Sequence, residues 1–491
     1  MSMKKRVLSM LLAAVMLLPT IAGCSENKAE EAETDAGLFP TPTAEEVTVE
    51  PEETELSDHL PESDFEGYGF HVGAQEGVYY GCAMIEQVLV EELNGDVVND
   101  AVYNANRTVE SRFNVQLESI LFPDDSGASV KASIQAGDDV YDILTMHDIT
   151  VANLSLTGLF RDVNEIPHLD YTRPWWPSYS VDSLTVNGSM YLISNYISYM
   201  NLAMTRAVFI NKAIADQFNY TIPYEKVKNG EWYLDDFIEM MKDVYIDVNG
   251  NGRRDNDDIY GFAASSALYA IQESFGVEPV KEDENGRLYL NINNETTVTL
   301  IEKFYHMMVE TEGGYLNNNE SVYTFADGNA LFGMFDLGRV LSNLRDTEIT
   351  YGILPIPKLN ELQADYISGS TDRPFAIPTT AQNDERLGIL IEAMSAEGYK
   401  QVRPAFFEIA LKSKYAYDAE SAEMLEIIGN TIVLDFSYIY SNFGGFAWTL
   451  MNMMSVNNPT KDFASYYAKN EKVQKKTLEK LQKSFDNLKN P

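Results

Sequence analysis

From Asn99 onward the hydrophobic pattern switches between a helical and a strand period, and this alternation narrows the possible architectures more than any other feature. Apolar positions keep helical spacing from 99 to about 113, after which Val115-Gln116-Leu117-Glu118 alternates as a strand. A second unit repeats the order: a helix around 130–136, a break at Ala136-Gly137-Asp138-Asp139, and an apolar strand over 140–144. Helix and strand in alternation imply an α/β fold whose parallel or mixed sheet is covered on its faces. Ligands of such sheets sit where strands end in loops, which makes Met146-His147-Asp148 a candidate wall of a site.

The stretch 84–93 fits a helix or a strand depending on the window. Residues 167–177 hold two adjacent tryptophans, Trp175 and Trp176, between prolines that stiffen the backbone and suit a crossing between lobes. Asn187-Gly188 punctuates strand-like runs at 183–186 and 190–193 as a hairpin would. Residues 231–245 read as an amphipathic helix, 325–336 as a turn with a buried strand, and 338–344 as a helix. Proline-closed strands are expected at 351–357 and 374–378, helices dominate from Glu385, and 461–488 is a charged helical end. Tyr438 and Tyr440 alternate in a strand-like run and would share one face, whether toward solvent, core or ligand.

Lys4, Lys5 and Arg6 precede an apolar run over 7–18, followed by Pro19-Thr20-Ile21-Ala22-Gly23-Cys24. The run falls short of the ~20 residues of a membrane span, and its basic flank and small-residue exit are the pattern of an export signal over 1–23. Its close on Ile21-Ala22-Gly23-Cys24 resembles the lipobox of bacterial lipoproteins. That resemblance implies cleavage before Cys24, acylation of its thiol, and a lipid anchor on the extracellular face of the cell membrane; an ordinary signal with an incidental cysteine is the alternative. Residues 24–66 are crowded with Glu, Asp, Thr and Pro and show no period, so they are expected as a disordered, solvated tether, with folding from near Gly67. With Cys24 acylated, Cys82 has no intrachain partner, so the chain does not depend on disulfides. About 425 residues follow the tether, more than one core usually supports, and two lobes are expected. The net charge of -39, from 75 acidic against 36 basic residues, opposes binding to nucleic acid.

One segment carries metal-ligand spacing. Residues 247–258 place side-chain oxygens at positions 1, 3, 5, 9 and 12 of a twelve-residue loop, with glycine at position 6. Calcium is wrapped by loops of this spacing, the glycine allowing the tight turn and position 7 offering its backbone carbonyl. Asp247, Asn249, Asn251, Arg253, Asp255 and Asp258 are therefore candidate ligands of one structural Ca2+. Asp in place of Glu at position 12 shortens the last reach, and a solvated Asn/Asp turn is the competing reading.

Taken in order, residues 99–114 (NDAVYNANRTVESRFN), 175–191 (WWPSYSVDSLTVNGSMY), 247–262, 351–357 and 403–408 with Tyr415 resemble the family 1 extracellular solute-binding proteins, the carbohydrate-binding components of ABC importers. More narrowly, they are similar to a lipoprotein branch common in gut Firmicutes. The resemblance covers nearly everything after the tether. It implies an α/β, two-lobed periplasmic-binding-protein-like (type II) fold with an interlobe ligand cleft. It assigns 67–176 and 316–366 to one lobe and 177–315 and 367–491 to the other. It also implies a carbohydrate ligand, an oligosaccharide by preference, and the transmembrane subunits of an ABC permease as partner; a monomer without catalytic activity is expected. Relatives often carry Gly-Asp after the position of Tyr191, where this chain has Ser194-Asn195. If that stretch lines the cleft, an amide replaces a carboxylate, so the sugar is not copied from any relative.

Sugars present apolar C–H faces and a rim of hydroxyls, which aromatic rings and Asp, Asn or Arg side chains can hold. Trp175 and Trp176 are expected as platform or hinge-side aromatics, Tyr199 and Trp448 as further stacking residues, and Asp148, Asp336, Asp372 and Arg403 as polar contacts. Competing readings pack Trp175 and Trp176 into the lobe junction, put Trp448 in a core, and pair Arg403 with Glu408 at a helix start. A peptide or polyamine binder, or a surface sensor, stands as the alternative to a sugar importer. Enzyme chemistry is not expected: there is no nucleophile elbow, no phosphate-cradling glycine loop and no HExxH, and His59, His71, His147, His168 and His306 lack metal-ligand spacing.

Overall fold

The computed structural model describes residues 56–489 apart from 266–267, 269–270, 319–320, 413–418 and 442–444. The export segment, residues 24–55 of the tether and Tyr415 lie outside the described residues. The end of the expected tether is corrected: Arg112 bonds both carboxyl oxygens of Asp58 and Phe65 N–H donates to the Phe113 carbonyl at 2.9 Å, so the chain is held on the first lobe from Asp58.

The helix expected after Asn99 spans Val97–Phe113. Asp96 starts it by accepting from the N–H groups of Val98 and Asn99, and Asn114 ends it in the left-handed region at φ 49°. Val98, Val102, Ala105, Val109 and Phe113 form its buried stripe and share a core with Phe70 and Val72 of the first sheet. That sheet runs Phe375–Ala376, Ile143–Thr145, Tyr68–Gln75, Val115–Phe122. Tyr68–Gln75 lies parallel to both of its neighbours, pairing Tyr68 with Val115 through Gln75 with Phe122, and Val72 with Ile143. Gln75 and the turn after Thr145 therefore stand at the same, C-terminal edge.

The second sheet runs Gly314–Leu316, Ile259–Ala264, Ala330–Asp336, Arg206–Asn211, Tyr351–Leu354, with Tyr245–Ile246 paired to Ile259–Ala264. It is mixed: 259–264 is parallel to 314–316 and 330–336, whereas 206–211 is antiparallel to 330–336 and 351–354. Every residue of 330–336 and of 206–211 is buried, as in a sheet covered on both faces. On one face Phe209 stacks on Phe335 at 4.3 Å and joins the core of the first sheet. On the other, Phe332 stacks on Phe237 at 4.3 Å in a separate core.

These pairings correct the expected lobe boundaries. Residues 316–366 belong with the second sheet, because 330–336 and 351–354 both bond to 206–211. Conversely, Phe375–Ala376 leaves the second lobe and pairs antiparallel with Ile143–Thr145. Strands buried on both faces carry no polar side, so their periodicity does not report which sheet they join.

Several local expectations also change. Residues 178–184 form the helix Ser178–Leu184, leaving a shorter hairpin of Thr185–Val186 with Ser189–Met190. Its turn is the expected Asn187-Gly188, at φ 49° and 76°, the pair of positive values a two-residue hairpin requires. The amphipathic helix shortens to Leu234–Met241, and 338–344 becomes the single 3-10 segment Leu337–Leu341. The strand-like run at 438–440 is instead the short helix Phe436–Ile439, because Asp435 caps it by accepting from Tyr438 N–H. Just before it, Ile432–Leu434 pairs in parallel with Ser368–Ser370. The long C-terminal helix spans Phe463–Lys489.

Candidate functional site

Beyond the C-terminal edge of the first sheet, Asp148 opens the helix Asp148–Ser155 and is fully buried. Its Oδ2 lies 3.2 Å from Arg373 Nη1 and its Oδ1 lies 2.7 Å from His147 Nδ1. Arg373 precedes the edge strand Phe375–Ala376, and its backbone is held where Thr145 Oγ1 donates to its carbonyl at 2.9 Å. The guanidinium lies 4.6 Å from the centre of the Tyr79 ring. Burial opposes the charge on Arg373, but Asp148 and Tyr79 outweigh it and its pKa rises. Asp372 accepts from Ser194 Oγ at 2.7 Å and from Arg373 N–H at 2.6 Å; burial nonetheless pushes its carboxyl up to about 6. Tyr438 acts electrostatically on Arg373, and Trp448 meets the Tyr438 ring edge-on at 5.2 Å.

Asp148, Asp372 and Trp448 are thus brought together, with Tyr438 facing the same charge. Arg373 and Tyr79 are not among the residues expected from the sequence, although Arg373 directly follows Asp372 in the chain. Asp148 Oδ2 has its charge contact but no aligned hydrogen bond, and Arg373 Nε has none either among the described residues. One acceptor and one donor atom of this buried pair are therefore left without an aligned partner among the described residues.

The next residue of the same hairpin reaches the other lobe. Tyr80 donates to Asp336 Oδ2 at 3.0 Å. Asp336 ends the strand Ala330–Asp336, where it is paired in register with Arg206 and bridged to its side chain, and lies 3.3 Å from Arg339 Nε. Consecutive tyrosines of the hairpin Val78–Tyr79 and Cys82–Ala83 therefore contact one charged pair each, Arg373–Asp148 and Arg206–Asp336. Beside them lies a cleft of about 870 Å³ lined by Tyr80, Cys82, Glu86, Asp96, Tyr199 and Arg345. Asp96 and Arg345 approach to 3.6 Å across it. Tyr199 is mostly spent on its neighbours: its hydroxyl lies 3.0 Å from Cys82 Sγ, and burial lifts its pKa well above the usual value.

Trp175 and Trp176 are corrected from ligand platform to core. They are 0% and 3% exposed, and their indole N–H groups donate to Oε1 and Oε2 of Glu392, each at 2.8 Å. Arg403 is corrected as well: its guanidinium bonds both oxygens of Glu426, at 3.2 and 2.7 Å, in place of the expected Glu408, and lies against the Phe407 ring. Ser194 serves Asp372, and Asn195 is buried with its amide on Ser395 Oγ at 2.8 Å. That stretch supports the cleft from behind rather than lining it.

The 247–258 loop takes the turn its spacing predicts, with Gly252 at φ 69°. Asp247, Asn249 and Asn251 each accept loop N–H groups, at 2.6–3.2 Å, and so face inward. The amides of Asn249 and Asn251 converge on Asp255 Oδ2, and these bonds hold the Asp255 carboxyl below its usual range. Asp258 departs from the expected role. It is fully buried and accepts from Val248 N–H, Asp255 N–H and the hydroxyls of Tyr245 and Tyr260, so its oxygens are occupied by the fold. Among the described residues no group of three or more His, Cys, Asp or Glu side chains is arranged to hold a metal. A cation here would rest on Asp247, Asp255, amide oxygens and the Arg253 carbonyl.

No family model matches the chain, and no curated protein matches its sequence. Solved structures match its fold. The apo form of RafE from Streptococcus pneumoniae is 14% identical with a TM-score of 0.50, over 86% of this chain and 98% of that one. A sugar transporter from Rhizobium etli in an open conformation is 13% identical with a TM-score of 0.53, over 84% and 99%. At these identities the likeness establishes the fold, two α/β lobes about a shared cleft.

Proposed function

We propose that the chain is the substrate-binding component of an ABC importer, a member of the family 1 solute-binding type, which closes on an oligosaccharide and presents it to a membrane permease. The observation that carries this reading is that a buried charged pair from each lobe, each met by one of two adjacent tyrosines, stands beside the cleft that Tyr80 lines, with Tyr438 and Trp448 next to the first pair. Aromatic faces suit the C–H surface of a sugar ring, and buried carboxylate and guanidinium groups suit its hydroxyls. The likeness in fold to a sugar transporter from Rhizobium etli supports the same class. Acylation at Cys24 would hold the protein on the outer face of the membrane, and Ca2+ in the 247–258 loop would brace the second lobe.

The test is thermal unfolding of residues 56–491 against mono- and oligosaccharides, with peptides and polyamines as the other arms. A ligand that binds only the folded state raises apparent stability by mass action. A shift with one glycan class supports the reading and names the substrate. A shift with peptide or polyamine alone replaces it.

A further inference from the structure

Behind Tyr438 and Trp448 lie two carboxyl groups that the ligand site does not use. Glu273 opens the turn Glu273–Phe275 and Asp435 caps the helix Phe436–Ile439; they are 7% and 1% exposed. Their side chains are hydrogen-bond partners of one another. Beyond that contact, Glu273 Oε2 and Asp435 Oδ2 meet no donor among the described residues. Two ionised carboxylates are acceptors only, so a bond between them requires a proton on one. Burial keeps water from substituting for it.

Among the described residues no compensating charge acts on Glu273. Every group acting on it is acidic, Asp435 first and then Glu278, and Glu278 acts on Asp435 as well. Of the elements packed nearby, Ser368–Ser370 carries nothing titratable, Ser178–Leu184 carries Tyr179 and Asp182, Asp148–Ser155 carries Asp148, and Phe463–Lys489, whose Phe485 meets Phe436, turns Gln474, Leu478 and Leu481 to this region while none of its lysines acts on either carboxyl. The helix capped by Asp435 carries Tyr438 itself, whose cationic neighbour Arg373 is engaged with Asp148.

Each carboxyl belongs to the support of one ring of the aromatic pair. Gln272, the residue before Glu273, donates to the Phe446 carbonyl at 3.1 Å and accepts from Leu450 N–H at 3.3 Å, clamping the segment that bears Trp448. Asp435 accepts from Tyr438 N–H at 3.0 Å and so holds the helix that bears Tyr438. The contact between the carboxyls therefore joins the two supports.

We infer that Glu273 and Asp435 share one proton, and that this proton fixes the spacing of Tyr438 and Trp448, so that this aromatic pair loosens when the proton leaves. Burial pushes Asp435 up to about 6 and Glu273 well above the ordinary carboxylate range, which puts the loss on the alkaline side of that range. Both groups are then charged and repel. The consequence for a bound sugar rests on the proposed function; the coupling of proton to ring does not.

The experiment uses the ligand-free chain labelled with 5-fluorotryptophan. Its 19F spectrum is followed from about pH 5 to 8.5, with the Trp448 signal identified by its absence in Trp448→Phe. The expected result is a sigmoidal movement of the Trp448 signal that Glu273→Gln flattens, since the amide donates to Asp435 at every pH. Asp435→Asn, which keeps a cap acceptor for Tyr438, provides the second variant should the first not fold, and flattens the profile equally. A Trp448 signal that stays still, or that moves identically in wild type and in both variants, overturns the inference and leaves the carbohydrate reading standing. Absence of any sugar binding, conversely, leaves the titration result standing.

Discussion

The indole N–H of Trp175 donates to Glu392 Oε1 at 2.8 Å, and that one contact explains why a tryptophan beside a proline-rich crossing is fully buried. The second oxygen of the same carboxyl takes the neighbouring indole, so a single buried acidic group anchors both rings of the crossing segment to the helix Asp384–Glu397. Burial pushes Glu392 up to about 7, against the opposing effect of the two indole bonds.

Glu392→Gln is expected to destabilise the protein by about 1–3 kcal/mol, because an amide offers one acceptor oxygen to two buried donors and leaves one N–H unsatisfied. The midpoint of urea unfolding measures it. The pH dependence has a definite sign. The folded state holds this proton more tightly than the unfolded chain, so the contribution is complete below the unfolded value of about 4.5 and is lost as pH rises through about 7. Glu392→Gln should lack this part of the decline in stability between those values, whereas an unchanged slope would mean that Glu392 does not carry it.

Arg373→Met should cost about 3–5 kcal/mol, since it leaves the carboxylate of Asp148 buried with its principal countercharge removed. Arg373→Met combined with Asp148→Leu should recover much of the loss, because both members of the pair are then gone. Urea unfolding of the single and double variants checks this. A double variant as unstable as the sum of its singles would show that the two groups do not act as a pair.

What was legible in the chain follows from how each residue is used. The helix 97–113 is readable because its capping residue, its stripe and its left-handed Asn114 are all local. The place of Asp148 after a buried strand, at the start of a helix, is a local signal too. The lobe assignment of 330–336 is not local: its partner, 206–211, lies more than a hundred residues away, and both strands are apolar throughout. Trp175 and Trp176 mislead for the same reason, since their acceptor is Glu392, over two hundred residues distant in a helix with no visible reason to hold a buried charge. The departure at Asp258 is of another kind, because the tyrosines that occupy it, Tyr245 and Tyr260, fall just outside the twelve positions that define the loop.

Calcium should raise the melting temperature relative to chelator, and Asp255→Ala should abolish the difference with little effect in chelator, since the carboxylate of the half-buried Asp255 is bonded to the loop's own amides. Asp258→Asn should behave differently. It disturbs a buried acceptor of two tyrosine hydroxyls and should lower stability with or without the ion. Equal melting in calcium and in chelator after complete metal removal would return the loop to a polar turn.

The pair Asp96–Arg345 crosses the cleft at 3.6 Å with side chains 32% and 63% exposed, so it belongs among solvent-screened ion pairs worth about 0–1 kcal/mol. Arg345→Ala should therefore weaken binding of the oligosaccharide identified by thermal shift by no more than about fivefold at low salt. The difference from wild type should shrink toward nothing near 1 M salt, where the Debye length is about 3 Å. Titration calorimetry at two salt concentrations measures both. Trp448→Ala is the contrast: removing an aromatic contact costs affinity at either salt concentration, because stacking does not depend on screening. A loss of a hundredfold or more on Arg345→Ala, persisting in high salt, would instead place the guanidinium directly on the ligand and move the centre of the site from Arg373 to the mouth of the cleft.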